Sequence, residues 1–408
     1  MTTPAAAARR IPADLPWALA IVAGISAGFH MWKVPPFVPL LREEFGVNLA
    51  DAGLLIGVVQ LSGVIGGLAF GMLIEAIGVR RSLLIGLGAL AVASIAGGFA
   101  PGFGWLVGLR AVESFGYMLT VVAAPALVRR EAQGPALTRA MGWWASYQGI
   151  SSGIALAIAA VLAGGLTRQA WWWSLGAFSA LVAVALLLLV APDPPRIERR
   201  TAREVLGAIG RTLRSAAPWL VGITFAAYAS GWIAVIGFLP TVYDDAGVDP
   251  RTAGLLTAVA SAANIIGALA GARALRAGAP PRRLVWLGMG GMAVLGWAVF
   301  AAGLPFGWSI AAVIAFSAIG GLVPAVLVRL AVETAPADGS VPVALGLVQQ
   351  LANTGMFIGP VIAGGVTDAV GDWGSTWWIN AAVAIVAGAL IIGATSARFG
   401  VQGRFGDR

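Results

Sequence analysis

The sequence predicts an all-α membrane protein with twelve transmembrane helices in two pseudo-symmetric six-helix halves. Of its 408 residues, 59% are hydrophobic and 11% are charged, whereas a soluble domain has about 45–50% apolar and about 25% charged residues. The apolar segments have the length of about 20 residues that a helix needs to cross a bilayer, and the two halves of the chain share a sequence repeat. The composition excludes a cytosolic enzyme, a secreted domain and a nucleic-acid-binding protein.

The apolar segments define twelve spans. Spans 1 to 6 are residues 17–40, 52–74, 82–101, 104–127, 139–163 and 170–191, and spans 7 to 12 are residues 218–242, 252–274, 283–303, 308–328, 341–366 and 374–396. All are longer than the ~10-residue strands of a membrane β-barrel. Arg9 and Arg10 precede span 1, but its apolar run is too long for a signal peptide. Span 1 is therefore expected to be an uncleaved membrane helix.

Arginine is concentrated on one side of the predicted spans. With both termini cytoplasmic, most arginines lie in cytoplasmic segments, and the outer loops hold only Arg42, Arg168 and Arg251 beside several acidic residues. Because positive residues favour the cytoplasmic side, both termini are expected to be cytoplasmic, in a bacterial inner (plasma) membrane. This topology explains the net charge of +8 without a nucleic-acid partner. The expected partners are the lipid bilayer, protons and a small-molecule substrate, and the protein is expected to be a monomer.

The polar segment 192–217 is predicted to be a cytoplasmic linker between an N-terminal half, residues 1–191, and a C-terminal half, residues 218–408. Pro39 and Gly46 recur as Pro240 and Gly247, an offset of 201 residues in both cases. The string AGLL at 52–55 recurs at 253–256 with the same offset. Two parallel six-helix repeats are typical of secondary transporters that work by alternating access.

Four ionisable residues lie inside predicted spans, His30 and Lys33 in span 1 and Arg110 and Glu113 in span 4. An ionisable side chain inside a membrane span costs about 2.5–3.5 kcal/mol on insertion scales, so these residues are functional candidates. Each pair has i, i+3 spacing and shares one helix face. With a rise of about 1.5 Å per residue, the two pairs lie at matching depth, somewhat outside the midplane of the membrane. His30, Lys33 and Arg110 are therefore candidates for substrate binding, and Glu113 and His30 for proton coupling.

A structural role stays open for each of these residues. Lys33, the only lysine among 26 basic residues, can extend its stem to the outer interface. Arg110 and Glu113 can neutralise each other within one helix, and His30 can be an ordinary polar residue of the interior. The chain has no cysteine and one histidine, which argues against disulfides, iron–sulfur clusters and metal centres. No metal and no cofactor are expected.

Between spans 2 and 3 the chain reads GMLIEAIGVRR over residues 71–81. This segment resembles the loop signature of the major facilitator superfamily at Gly71, Glu75, Gly78, Arg80 and Arg81. It departs from the signature by Glu75 in place of aspartate and by a valine in place of an arginine at position 79. The resemblance implies a major facilitator fold and a gating role for the motif. It also implies that spans 1 and 4, with their four ionisable residues, line a central cavity. The string RAVE at 110–113 is most similar to the cyanate-porter-type members, which move anions with protons.

The leading hypothesis is a proton-coupled transporter of a small organic or inorganic anion, because two cations in spans 1 and 4 outnumber one carboxylate. Neutral polar side chains in other spans are candidates to complete the substrate site: Tyr147, Gln148, Tyr228, Trp232, Asn264, Gln349, Gln350 and Asn353. Each of them can instead hold two helices together. The alternative is a proton antiporter that exports amphipathic drugs or metabolites. A membrane enzyme or sensor is disfavoured, since the sequence shows no nucleophile–base set or phosphate loop.

Overall fold

The computed structural model describes residues 14–162, 165, 167–193, 202–335 and 341–394. Within these ranges every regular element is an α-helix or a short 3-10 turn. The predicted all-α class is therefore confirmed.

Each of the twelve predicted spans corresponds to a helical segment. In chain order these are α1 (Leu15–Phe45), α2 (Leu49–Ile77), α3 (Val79–Gly98), α4 (Phe103–Glu131), α5 (Gly134–Ala145 and Tyr147–Val161), α6 (Arg168–Leu189), α7 (Ala216–Asp245), α8 (Pro250–Arg276), α9 (Pro281–Phe300), α10 (Phe306–Glu333), α11 (Val341–Val370) and α12 (Trp373–Ala394). A further helix, Ala202–Arg214, lies in the predicted linker. Residues 194–201 of that linker are outside the described part of the chain.

Ten of these segments are long and apolar enough to cross a membrane, and α5, which bends by 45°, makes an eleventh if it is counted as one span. Helix α11 is 30 residues long, but it carries the polar side chains Gln349, Gln350 and Asn353 in its middle. They lie on a helix that packs along α2 as well as along α7.

The sequence repeat corresponds to a repeated local structure. Gly46 ends α1 with φ of 65°, and Gly247 follows α7 with φ of 75°, a left-handed conformation that glycine adopts without steric cost. Asn48 then caps the N-terminus of α2 and Asp249 caps that of α8, since each side-chain oxygen accepts a hydrogen bond from the backbone N–H three residues later. The turn that connects α1 to α2 is therefore equivalent to the turn that connects α7 to α8.

The most extensive contacts between the N-terminal and the C-terminal helices are made by two pairs of helices. Helix α2 lies along α11, and α5 lies along α8. At the α2–α11 crossing, a Cβ atom on Gly57 would collide with the carbonyl oxygen of Phe357, and one on Gly364 with that of Leu49. Small residues at such crossings let helix backbones approach closely, which is how helices pack in lipid.

The crossing of α7 and α11 is equally close and gives a stability prediction. A Cβ atom on Gly355 would collide with the backbone oxygen of Ala226, whereas Gly290 in α9 has open space around it. Gly355→Ala is expected to lower stability by about 1–3 kcal/mol through overpacking. Gly290→Ala is the matched control, and it is expected to be neutral or slightly stabilising because alanine favours a helix. Thermal unfolding in detergent measures both, and equal melting temperatures would contradict the close crossing.

Candidate functional site

The four ionisable residues of spans 1 and 4 meet in one place. His30, Lys33, Arg110 and Glu113, called here the charge cluster, are each at most 1% exposed. The Lys33 ammonium donates to Oε1 of Glu113. Nη1 of Arg110 lies 2.7 Å from Oε2 of the same carboxylate. Nδ1 of His30 lies 3.4 Å from Oε1. One carboxylate therefore joins α1 to α4 through Lys33 and His30, and it also pairs with Arg110 of its own helix.

Helices α3 and α6 close the charge cluster from the other side. The Lys33 ammonium donates to Oγ of Ser94 at 3.0 Å and lies 4.8 Å from the centre of the Trp172 ring, a cation–π distance. Nε2 of His30 lies 2.8 Å from Oγ of Ser179. The cluster therefore lies inside the N-terminal group of helices. The expectation that these side chains line an open cavity is wrong for this conformation.

The structure also decides between roles that the sequence left open. Lys33 points inward to Glu113 and does not extend to the membrane surface. Arg110 and Glu113 do pair within α4, but Nη1 of Arg110 also donates to the backbone oxygen of His30 at 2.6 Å. With Lys33 and Arg110 charged, the cluster has two cations and one carboxylate. Its net charge is therefore positive in a region without water contact.

A neutral polar group lies next to the charge cluster, around the thioether of Met31. Nε2 of Gln60 and Nε2 of Gln148 each lie 3.5 Å from its Sδ atom. The hydroxyl of Tyr117 lies 3.9 Å from the same atom and 3.3 Å from Gln148. Gln60 also reaches Sδ of Met356 in α11 at 3.5 Å. This group therefore lies where the N-terminal helices meet α11.

On the C-terminal side, three of the predicted residues form one hydrogen-bonded group with Ser317 of α10. Asn264 donates to the hydroxyl of Tyr228 at 3.0 Å and to the backbone oxygen of Ser317 at 3.1 Å. Nε1 of Trp232 donates to Oγ of Ser317 at 3.1 Å. The ring of Trp232 also meets Trp32 of α1 edge-on, with 5.6 Å between centroids. This aromatic pair brings α7 against α1 beside Met31.

The remaining predicted residues have local partners. Tyr147 stacks on Trp144 with 4.4 Å between ring centroids. Gln349 is exposed and donates to Asn353 one turn later, at 3.1 Å. The amide of Asn353 lies 3.6 Å from the sulfur of Met118 in α4.

Gln350 makes a different contact, which the sequence did not indicate. Its Nε2 donates to the backbone oxygen of Val64 at 2.8 Å, and its Oε1 accepts from the backbone N–H of Leu68 at 3.4 Å. Val64 and Leu68 are four residues apart, so a regular helix would join them directly. Between them Gly66 leaves helical geometry, with φ of −139° and ψ of 23°. The side chain of α11 is thus inserted into the hydrogen-bond ladder of α2, a known cause of helix kinks.

A second contact between α2 and α11 lies at the opposite end of the crossing. The Asp368 carboxylate accepts hydrogen bonds from the backbone N–H groups of Leu49 and Ala50 at 3.1 and 2.8 Å. These are the first residues of α2, whose N-terminus carries the positive end of the helix dipole. A carboxylate of α11 therefore caps α2.

The loop motif of residues 71–81 is hydrogen-bonded to an aspartate that lies outside the motif. Asp193, just after α6, accepts hydrogen bonds from the backbone N–H groups of Arg80 and Arg81 at 2.9 and 3.2 Å. The same carboxylate pairs with Arg130 of α4 at 2.8 Å. Glu75 is exposed and Gly71 has open space around it. Gly78 has φ of 102° and lies against Asp193.

Several residues at these sites were not predicted from the sequence: Ser94, Ser179, Gln60, Tyr117, Met31, Asp193 and Asp368. Only Asp193 and Gln60 carry a sequence signal that could have found them. Asp193 lies between two prolines directly after a span, and Gln60 is the polar side chain in the middle of span 2. Serines, tyrosines and methionines inside spans are common, so nothing in the sequence separates these from others.

Comparisons with known proteins agree with this architecture. The model of the Major Facilitator Superfamily matches residues 20–341 and, in a second match, residues 220–398. No curated protein sequence matches the chain significantly.

Solved structures share the fold at low sequence identity. A bacterial homologue of the human lysosomal transporter Spinster, inward-facing and occupied, is 16% identical with a TM-score of 0.74, covering 93% of this chain and 96% of that one. A mutant of the nucleoside transporter NupG is 14% identical with a TM-score of 0.77, covering 94% and 100%. A D-xylose–proton symporter is 15% identical with a TM-score of 0.71, covering 92% and 96%. This chain is a multi-pass membrane protein that belongs to the major facilitator superfamily.

Proposed function

We propose that the protein is a proton-coupled secondary transporter of a small organic or inorganic anion. The observation that carries this proposal is the charge cluster, in which Lys33 and Arg110 converge on the single carboxylate of Glu113. A buried excess of positive charge costs free energy unless a negative partner compensates it. A small anion that approaches the cluster would supply that partner.

Glu113 is the candidate proton carrier. Its carboxylate accepts from Lys33, Arg110 and His30, so protonation would weaken the two contacts that hold α1 against α4 and the pair with Arg110 within α4. Loss of the negative charge also raises the net positive charge of the cluster by one unit. Proton binding and anion binding would therefore favour each other, which is the positive coupling that a symporter requires.

Alternating access would occur between the two proposed halves, residues 1–191 and 218–408, with both termini and the linker in the cytoplasm. The surfaces that separate are the α2–α11 and α5–α8 crossings. The Asp368 cap and the Gln350 insertion lie at different depths of the first crossing. One of them breaks when the protein opens outward and the other when it opens inward.

Uptake by proteoliposomes tests this function. The purified protein is expected to accumulate at least one member of a panel of radiolabelled small anions when the inside is alkaline. Glu113→Gln, which mimics the protonated acid, is expected to abolish accumulation driven by the proton gradient while anion exchange continues. The matched control is Glu44→Gln, because Glu44 pairs with the buried Arg168 at 2.8 Å outside the cluster.

A double variant can contradict the anion proposal. Lys33→Ala with Arg110→Ala removes both cations of the cluster together. If that double variant is folded and transports anions normally, the cluster is structural and the anion proposal fails.

The second candidate function is export of amphipathic compounds. It is favoured by the aromatic and thioether side chains where the two proposed halves meet, among them Trp32, Trp232, Met31 and Met356. Methionine-rich surfaces adapt to varied apolar ligands. In this case proton-driven efflux of a cationic dye would persist in the double variant described above.

A further inference from the structure

The thioether of Met31 lies where three hydrogen-bond donors converge. Gln60 of α2, Tyr117 of α4 and Gln148 of α5 point at its sulfur from distances of 3.5, 3.9 and 3.5 Å. Met31 is 4% exposed and Gln60 is 1% exposed. A thioether sulfur is a weak acceptor. Three donors in this buried position therefore share one weak acceptor, although Gln148 also donates to the hydroxyl of Tyr117 at 3.3 Å.

The two amide side chains are also incompletely bonded. Oε1 of Gln60 and Oε1 of Gln148 have no hydrogen-bond partner among the described residues, although both atoms are buried. Unpaired buried polar atoms cost free energy. Whichever way each amide is turned, one of its two polar ends faces the sulfur or no partner. The site is therefore built from polar groups that its own side chains satisfy only in part.

The position of this site fits an anion. Met31 directly follows His30, whose backbone oxygen accepts from Arg110 of the charge cluster. On the opposite side, Met356 of α11 contacts Gln60. A ligand at the Met31 sulfur would thus lie between the two proposed halves and beside the net positive cluster, without having to enter it.

Resting on the proposed function, the geometry points to an oxyanion subsite that the thioether of Met31 fills in this structure. A small carboxylate or inorganic oxyanion displaces the thioether and accepts hydrogen bonds from Gln60, Tyr117 and Gln148. Methionine is unbranched and flexible, so its side chain can turn away. The long-range positive field of the cluster attracts the anion, and the three neutral donors fix its position.

The test uses the absence of cysteine from the chain, which makes Met31→Cys a unique labelling site without further changes. Two methanethiosulfonate reagents of similar size are compared in proteoliposomes by their rate of reaction with this cysteine. One carries an anionic sulfonatoethyl group and the other a cationic trimethylammonioethyl group. The anionic probe is expected to react about tenfold faster or more, since hydrogen bonds to a charged group are stronger than neutral ones. Met356→Cys, which faces only one of the donors, is the matched control with a smaller preference.

Variants without the donors distinguish the effect of the three donors from the effect of the charge cluster. Gln60→Leu, Tyr117→Phe or Gln148→Leu in the Met31→Cys protein is expected to slow the anionic probe several-fold and to leave the cationic probe unchanged. Equal rates for both probes, no reaction with either, or a preference that survives loss of all three donors would overturn the inference.

If Met31→Cys does not fold, Met31→Leu keeps the side-chain volume. Thermal stabilisation of the unmodified protein by sodium acetate or sodium nitrate, absent with acetamide, then tests the subsite, and this stabilisation is expected to weaken in Gln60→Leu. A stabilisation that is equal for acetate and acetamide would contradict an oxyanion subsite.

The uptake assay keeps the two proposals apart. Anion uptake without a charge preference at position 31 would refute the subsite and leave the function standing. A charge preference at position 31 without uptake of any anion would refute the function and leave the subsite standing.

Discussion

Glu113→Leu is expected to lower stability by about 3–5 kcal/mol, because it leaves the buried cations Lys33 and Arg110 without their carboxylate. The variant should be poorly expressed or should unfold at a clearly lower temperature than the unmodified protein. Thermal unfolding in detergent, followed by circular dichroism, measures the effect.

A compensated variant shows whether the loss comes from unpaired charge. Replacing the whole ion group, with Lys33→Met, Arg110→Met and Glu113→Leu together, removes every unpaired charge that the single change creates. Apolar replacement of a buried ion group is often neutral or stabilising by about 1–4 kcal/mol, so the triple variant should regain most of the stability. Proton-coupled anion uptake should nevertheless stay absent. Regained stability together with normal uptake would show that the charge cluster has no part in transport.

Gln350→Leu is expected to weaken the closure of α2 on α11. The change removes the amide that joins the Val64 oxygen to the Leu68 N–H, and each such hydrogen bond contributes about 1 kcal/mol. When α11 moves away, α2 can straighten at Gly66 and form the Val64–Leu68 bond within its own backbone. The closed state depends on the inserted amide and the open state does not, so the open population should increase about tenfold or more.

Spin-label distances measure this shift. Cysteines at Met72 of α2 and Val341 of α11, which are 38% and 40% exposed, report the separation of the two helix ends next to the insertion. Gln350→Leu should move the distribution to longer distances. Gln349→Leu is the matched control, because the hydrogen bond of Gln349 to Asn353 lies within its own helix. An unchanged distribution in Gln350→Leu, or an equal shift in the control, would contradict the role of the insertion.

The sequence alone was sufficient for the fold class. Hydropathy and length predicted a helical segment at each of the twelve positions, because crossing lipid imposes a strong and local requirement on every span. The offset of 201 residues placed Gly46 and Gly247 at equivalent positions of the two repeats, and the structure has a left-handed glycine at both. The i, i+3 spacing of His30 with Lys33 and of Arg110 with Glu113 predicted which helix faces carry charge.

Tertiary structure alone decided what those faces contact. The partners of Lys33 and His30 on α3 and α6, Ser94 and Ser179, are 61 and 149 residues away in the chain, and no local pattern encodes such a pairing. For this reason the charge cluster was expected in an open cavity but lies inside the N-terminal helices. The Gln350 insertion likewise requires the kink at Gly66 and a close crossing of two distant helices. Spacing along a helix determines which side chains share a face, and only the packing of helices determines which faces meet.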